Sequence, residues 1–464
     1  MVPRGRGGAL MLADALHAAP DGLAETFTLV EGLDDALTHG LARLDEERAG
    51  ALEDLAAAFS GSPLADRVAD SVGKILAGTV TDEHLIALAG ARAALLGAAH
   101  DALLISVDTA LGRTRAGWTA VPAAADAGHL LAGSRSWLRE LAIAGWRGVD
   151  HELAAAAAQS VQALLADPAQ RRLAVLLDGF AGELRAAAPV ATLDRVPVRR
   201  WADLWTRGLL LSQDGYPASG AVPVTGRLLL LGVDLHEHPT VFQAQAHALV
   251  ETGDEVRLVR TSVAAAKVDT ITGPSAWRML AGFPIFRLMA AGHRTVDVED
   301  ALLTPAGDLI WDESRATPGE AADPFTTARV RLAGATLPAV APLDRHPAAV
   351  ATPVLLEGYA ASEAGFDIGG GVVLAVDHDR VPAAGPLTPA IVDASHACLG
   401  LLRWDGRWSV QPLAVQAIVK KKQVTAHVGE WANGPAEAKA AKAEAVAGTA
   451  VDVLRERAGR LLRK

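Results

Sequence analysis

The residues whose types and spacing best suit chemistry in this chain are Asp234, His236 and His238. They follow the apolar run 228–233. If that run is a buried strand, the three side chains lie on one face of its end, because successive side chains along a strand point to opposite sides. Carboxylate and imidazole groups at this spacing can bind zinc, manganese, iron or nickel, and the same spacing also describes the polar face of an ordinary strand.

An apolar strand followed by Asp-x-His-x-His resembles the first metal-binding strand of the amidohydrolase superfamily, in which paired histidines help to hold a metal that activates water. The resemblance spans about a dozen residues. The barrel of that superfamily needs about 250 residues, whereas only about 230 follow Asp234. We therefore interpret the segment as the polar face of a strand, and keep a metal-dependent hydrolase as the alternative.

The other motifs of catalytic type are incomplete. The sequence contains neither a Gly-x-x-x-x-Gly-Lys-Ser/Thr phosphate loop nor a Gly-x-Ser-x-Gly nucleophile elbow, and the glycines 369–371 precede an apolar run, which predicts a turn. The Asp-His-Asp segment 377–379 is interpreted as a polar turn. Cys398, next to a Ser-His pair on a predicted helix, is interpreted as a buried structural thiol. No cofactor is predicted, apart from the divalent metal that the metal-dependent hydrolase hypothesis would require.

Composition limits the classes of partner. The chain has 464 residues and a formal net charge of −11. An acidic chain is not globally attracted to phosphate backbones, so nucleic-acid binding is not expected, and the basic residues 420–422 and the basic C-terminal segment are interpreted as solvated surface. One cysteine excludes an intrachain disulfide and a cysteine-based zinc site.

No targeting or membrane segment is predicted. The N-terminal apolar stretch is interrupted by Asp14 and His17, unlike a signal peptide, and no run reaches the roughly 18 uninterrupted apolar residues that suit a membrane helix. We therefore expect a cytoplasmic protein without membrane association.

The hydrophobic pattern predicts an α+β protein of two domains. Residues 1–190 show helical spacing almost throughout, which predicts an all-helical bundle or irregular solenoid. Arg92 is the one polar interruption of its apolar stripe. The proline-containing segment 186–200 is expected to separate this domain from a second one, over residues 200–464.

The second domain is predicted to contain a mixed, mostly antiparallel sheet. One further helix is expected at 201–211, and others at 274–290, with a break or kink at Pro284, and at 389–402. Asp-Gly at 405–406, flanked by Trp404 and Trp408, predicts a tight hairpin. The predicted strands cover residues 227–233, 255–263, 294–298, 327–332, 354–358 and 371–376, and an Ala-rich C-terminal helix is predicted over 435–464.

Three segments, 30–37, 233–247 and 259–263, resemble an uncharacterised actinobacterial family encoded beside SWIM zinc-finger proteins, MoxR-type AAA ATPases and von Willebrand A proteins. The resemblance implies a non-enzymatic partner in a chaperone-like assembly. No catalytic motif defines that family, so the implication concerns partners and not chemistry.

The leading hypothesis is therefore a non-enzymatic interaction or adaptor protein with protein partners. The alternative is a metal-dependent hydrolase that uses Asp234, His236 and His238. Nucleic-acid binding through the basic segments is a third, less favoured hypothesis. The sequence predicts neither a substrate nor an oligomeric state.

Overall fold

The computed structural model describes residues 6–119, 130–167, 170–213, 220–237, 241–267, 271, 273–345, 348–382, 385–434 and 442. Within these ranges the N-terminal region is helical and is followed by two sheets, which are mixed and mostly antiparallel. The predicted α+β fold class is thus confirmed.

The helices of the N-terminal region run in sequence up to residue 211. The helix predicted at 201–211 is confirmed as α10. The region also holds one two-residue strand, β1 (Thr114–Arg115), which pairs with the first sheet. The bounds are α1 (Arg6–His17), α2 (Leu23–His39), α3 (Glu46–Ala58), α4 (Ala65–Leu76), α5 (Asp82–Ala110), α6 (Ala132–Ala144), α7 (His151–Ala155), α8 (Ala158–Ala166), α9 (Arg171–Ala187) and α10 (Val198–Leu211).

Helices α2–α10 share one apolar core, and α10 packs within it. Trp201 and Trp205 of α10 are fully buried among residues of the neighbouring helices. The Trp146 ring packs edge-to-face against Trp201, at 6.4 Å between ring centroids, and against Phe180 of α9 at 6.0 Å. The apolar face of α10 therefore belongs to the helical core, although the chain enters the sheets directly after it.

The polar interruption at Arg92 in α5 is the centre of a buried ion cluster. Its side chain is 0% exposed and donates to both oxygens of Asp34 in α2, at 2.6 and 2.8 Å. It also donates to Asp203 of α10 at 2.7 Å. One guanidinium thus joins three helices, since its fork of donors can serve two carboxylates at once.

Helix α5 extends from the helical core to the sheets. Leu85 and Leu88 lie in the helical core, whereas Val107 contacts the second sheet. Among the described residues α5 is the one helix long and apolar enough to cross a membrane by length and composition, and 56% of its most apolar window is buried within the fold.

The strands after α10 form two sheets. The first has the order β1-β8-β4-β3-β2-β5-β6, with β7 also on β5, and the second has the order β10-β11-β12-β14-β13-β9, with β15 on β14. The bounds are β2 (Val222–Glu237), β3 (Val241–Thr252), β4 (Glu255–Ala266), β5 (Arg294–Leu303), β6 (Leu309–Ile310), β7 (Ala316–Ala321), β8 (Thr336–Leu337), β9 (Val350–Glu357), β10 (Ala360–Ser362), β11 (Gly365–Asp367), β12 (Val373–Val376), β13 (Ser395–Trp404), β14 (Trp408–Val419) and β15 (Lys422–His427).

The two sheets pack face to face. Leu231 and Leu249 of the first sheet meet Leu355 and Leu399 of the second in one cluster. The sheets approach each other closely at Gly232, where an added Cβ would lie 2.7 Å from the Leu413 Cβ, so this position requires glycine. The outer face of the first sheet is covered by α11 (Pro274–Trp277) and α12 (Pro284–Gly292), and that of the second by α1 and the end of α5.

Two secondary-structure predictions are wrong. The strand predicted at 327–332 is instead α13 (Pro324–Thr327) followed by a π-helical turn (Ala328–Leu332). Asp323 begins this helix, because its carboxylate accepts the amide hydrogens of Phe325 and Thr326. The apolar residues Phe325, Ala328 and Leu332 are buried at helical spacing between the sheets.

The helix predicted at 389–402 ends early: α15 (Pro389–Asp393) is followed at once by β13. Strand β13 lies between β9 and β14 and is buried on both faces, so its apolar run does not alternate. Two-sided burial of this kind cannot be told from a buried helix by periodicity alone.

Several local predictions are confirmed. The hairpin at 405–406 joins β13 to β14, with Trp404 opposite Trp408 and Gly406 at φ 79°. The glycines at 369–371 form a turn with positive φ before β12. Pro284 breaks the element predicted at 274–290 into α11 and α12. The helix predicted over 435–464 lies outside the described residues, apart from Lys442.

Candidate functional site

Asp234 and His236 share one face of β2, as the sequence predicts, and His238 lies outside the described residues. The Asp234 Oδ2 lies 3.3 Å from the His236 Nε2. Asp234 is only 3% exposed, because this face of β2 turns toward the second sheet. Its Oδ1 accepts the Gln411 amide at 2.6 Å, and its Oδ2 accepts the Arg403 guanidinium at 3.3 Å.

Through these hydrogen bonds, Asp234 of the first sheet connects to Arg403 and Gln411 of the second. Burial alone would raise its pKa, but the hydrogen bond from His236 and that from Gln411 outweigh burial, so the pKa lies below the ordinary value. Both carboxylate oxygens already have donors, and the Arg403 guanidinium would repel a cation. Among the described residues, no group of three or more His, Cys, Asp or Glu side chains is placed to hold a metal ion. The arrangement favours a structural role for Asp234.

His247, on the neighbouring strand β3, is a buried histidine that sequence patterns did not single out as a site. It pairs with Gly232 across the sheet, and burial lowers its pKa to about 4. It lines a cavity of about 160 Å³ together with His100 of α5, Arg115 and Arg260. These residues converge from α5, β1, β3 and β4, so only the tertiary fold brings them together.

Two further predictions concern Cys398 and the basic residues 420–422. Cys398 is fully buried on β13 and burial raises its thiol pKa, which matches the predicted structural thiol, although it lies on a strand and not on a helix. Lys420 and Lys421 have φ of 49° and 65° and form the tight turn between β14 and β15. Their side chains are exposed, as expected for a solvated turn.

A buried histidine pair lies where the two sheets come together: His293 directly precedes β5 of the first sheet, and His427 ends β15 of the second. The rings of His293 and His427 are 3.9 Å apart between centroids. Burial lowers the pKa of His293 to about 4; burial and the neighbouring His293 lower that of His427 to about 3. Both side chains are therefore neutral in the folded protein at neutral pH.

This pair predicts loss of stability in mild acid. Unfolded histidines take up protons near pH 6.5, whereas the folded pair stays neutral to about pH 4. The free energy of unfolding therefore has its full value above pH 6.5 and decreases as the pH falls from 6.5 to about 4. Within that pH range each histidine lowers the free energy of unfolding by up to ~1.4 kcal/mol per pH unit. Urea unfolding at pH 7.5, 6 and 5 measures the loss. The variant His427→Gln should reduce the pH dependence of the free energy of unfolding, whereas His378→Gln, at an exposed histidine, should not. An equal pH dependence in both variants would show that the buried pair is not the cause.

A groove of about 980 Å³ opens where the helical region meets the second sheet. Its walls are the start of α2, the first turns of α10 and the tip of the β13–β14 hairpin. The floor is aromatic: the Phe27 and Trp404 rings stack at 5.6 Å with 28° between their planes, and the Arg199 guanidinium lies 5.1 Å from the Phe27 centroid.

The rim of this groove, which we call the acidic groove, carries more negative than positive charge. Among the described residues, four of its exposed carboxylates have no ion-pair partner: Asp21, Glu25, Glu31 and Asp405. Its arginines are engaged, since Arg199 lies 3.4 Å from Asp203, Arg200 donates to Glu183 at 2.9 Å, and Arg207 donates to the Leu343 carbonyl at 3.0 Å. In total, five carboxylates and three guanidinium groups line the groove, so its lining carries a net negative charge.

Sequence reasoning missed the acidic groove because its residues are distant along the chain. They come from 19–31, 199–207, 349 and 404–406. The hairpin prediction placed Trp404 beside a tight turn, and that was the one usable signal. Comparison with protein-family models, with curated proteins and with solved structures finds no match for this chain.

Proposed function

We propose that this chain is a non-enzymatic interaction or adaptor protein that binds a basic segment of a protein partner in the acidic groove. The observation that carries the proposal is the stacked Phe27–Trp404 floor beneath exposed carboxylates without ion-pair partners. An aromatic floor can bury an apolar anchor, and complementary rim charges steer and orient the encounter.

The volume and charge of the groove favour a peptide segment. At about 980 Å³ it is as large as the largest ordinary small-molecule pockets. Glu25 and Glu31 both line the groove and are six residues apart on α2, so an extended chain with spaced Lys or Arg residues could meet both. The occupant we propose is therefore a segment with one Leu or Phe anchor and two or more neighbouring basic residues. The family resemblance would place this partner in an assembly of the MoxR and von Willebrand A type.

A panel of three labelled peptides tests the proposal by fluorescence anisotropy. The first contains a Phe anchor among Lys and Arg, the second replaces the anchor by Ser, and the third replaces the basic residues by Glu. We expect the first to bind most tightly and to weaken as salt screens the rim. Equal binding of the first two peptides would indicate nonspecific attraction to an acidic protein and would contradict the proposal.

Removing two rim charges should weaken this binding. Exposed ion pairs contribute ~0.2–1 kcal/mol each, so Glu25→Gln/Glu31→Gln should raise Kd for the first peptide by about fivefold, from a loss of ~1 kcal/mol. The matched control is Glu53→Gln/Asp54→Asn, which removes two exposed carboxylates from α3 outside the groove. An equal loss in both variants would show that net charge, and not the groove, controls binding.

The metal-dependent hydrolase stays the second candidate. The observation that favours it is the 3.3 Å approach of His236 to Asp234. The donors already on Asp234 argue for the interaction protein instead.

A further inference from the structure

A further cavity, separate from the acidic groove and next to the His247 cavity, lies at the C-terminal end of α5. Its volume is about 390 Å³, and it is lined by residues of α5, β1 and the helix α14 (Pro342–Arg345). Three arginines face it: Arg113, Arg115 and Arg345.

Two of these arginines are neutralised by carboxylates of α5. Arg115 donates to both oxygens of Asp108, at 2.7 and 3.2 Å. Arg345 donates to Asp101 at 2.8 Å, and the other oxygen of Asp101 lies 3.0 Å from the His100 ring. Each of these two carboxylates is therefore already paired with another arginine, so the three guanidinium groups outnumber the two carboxylates that line the cavity.

Arg113 is that third guanidinium. It is 8% exposed, and its Nε and Nη1 have no hydrogen-bond partner among the described residues. Burial, partly offset by the charge of Asp108, lowers its pKa to about 10, so the group stays charged at neutral pH. Asp108, whose charge partly compensates Arg113, is already paired with Arg115, so the buried charge of Arg113 is disfavoured unless a further anion accompanies it.

The remaining walls are apolar. Leu104, Trp118 and Val340 line the cavity, and Ile105, which is 64% exposed, lies at its mouth. A ligand that satisfies this cavity must carry one negative charge for Arg113 and an apolar body for these walls. We infer that the Arg113 cavity binds a small organic monocarboxylate with an aromatic or branched aliphatic body.

Thermal unfolding with defined probes tests this inference. Phenylacetate should raise the Tm of the full chain with increasing concentration, because a ligand that binds only the folded state stabilises it. Phenylacetamide, which has the same body without the charge, should not raise the Tm. Inorganic phosphate should raise it less than phenylacetate, because it offers no apolar body. An equal effect of phosphate would overturn the organic part of the inference.

Variants at Arg113 separate binding from folding. Arg113→Met removes the buried charge but keeps most of the side-chain volume, so the Tm without ligand should be unchanged or higher. The Kd for phenylacetate should rise about tenfold or more, because a hydrogen bond to a charged group is lost. Arg113→Lys should retain part of the shift. The control Arg67→Met, on the exposed face of α4, should behave as wild type. No shift with any anion, or a full shift in Arg113→Met, would overturn the site.

Discussion

Replacing Asp34 by alanine is expected to lower the free energy of unfolding by about 3–5 kcal/mol, because it leaves the buried Arg92 guanidinium short of its main partner. Asp34 accepts two of the three hydrogen bonds that Arg92 makes to carboxylates. The remaining partner, Asp203, cannot satisfy the vacated donors. Urea unfolding followed by tryptophan fluorescence measures the loss, since Trp201 and Trp205 lie in the same helical core.

The neighbouring Asp35 provides a matched control. It is half exposed and pairs with Arg48 at 2.7 Å on the protein surface. Exposed pairs of this kind contribute ~0.2–1 kcal/mol, so Asp35→Ala should cost far less than Asp34→Ala. If both variants lose the same small amount, the buried cluster does not stabilise the helical core as we describe.

Replacing Asp234 by alanine is the second substitution with a large expected effect. It removes the acceptor of Gln411 and the counter-charge of Arg403 between the two sheets. Leaving a buried amide and a partly buried guanidinium without partners should cost about 2–4 kcal/mol. Asp234→Asn, which keeps an acceptor for Gln411, should lose about half as much.

Elemental analysis of the wild type and of Asp234→Ala distinguishes a structural role of Asp234 from a metal-binding role. A structural Asp234 predicts that untagged wild-type protein and Asp234→Ala carry equally little metal. Stoichiometric metal in the wild type that disappears from Asp234→Ala would instead support the metal-dependent hydrolase and contradict the structural role.

Local chemistry in the sequence was enough to predict much of the fold. The Asp-Gly hairpin, the turn at 369–371 and the helix at 201–211 each depend on residues within one short segment, so their signals are complete in the sequence. Asp234 and His236 share one face of β2 because side chains alternate along a strand, which is also a local property of the sequence. The failure at 389–402 occurs where burial on both sides of β13 removes the alternation on which the prediction depends. At 327–332 the reason is different: Ala328 and Leu332 are buried at helical spacing, while Val330 between them is 68% exposed.

The partners of the site residues could not be predicted in this way. Arg92 appeared only as an interruption in an apolar stripe, and its carboxylates lie 58 and 111 residues away along the chain. The same holds for Asp234 and Gln411, which are 177 residues apart. The acidic groove and the Arg113 cavity likewise combine distant segments, so composition and periodicity carry no signal for them.

The most direct test of the proposed interaction function is site-specific photo-crosslinking. A benzophenone amino acid is placed at Ala24, an exposed residue of the acidic groove, or at Ala57, an exposed residue of α3 outside it. With the Phe-anchored basic peptide, we predict a crosslink from position 24 and not from 57, which excess unlabelled peptide abolishes. Equal crosslinking from both positions, or none from position 24, would contradict binding in the acidic groove.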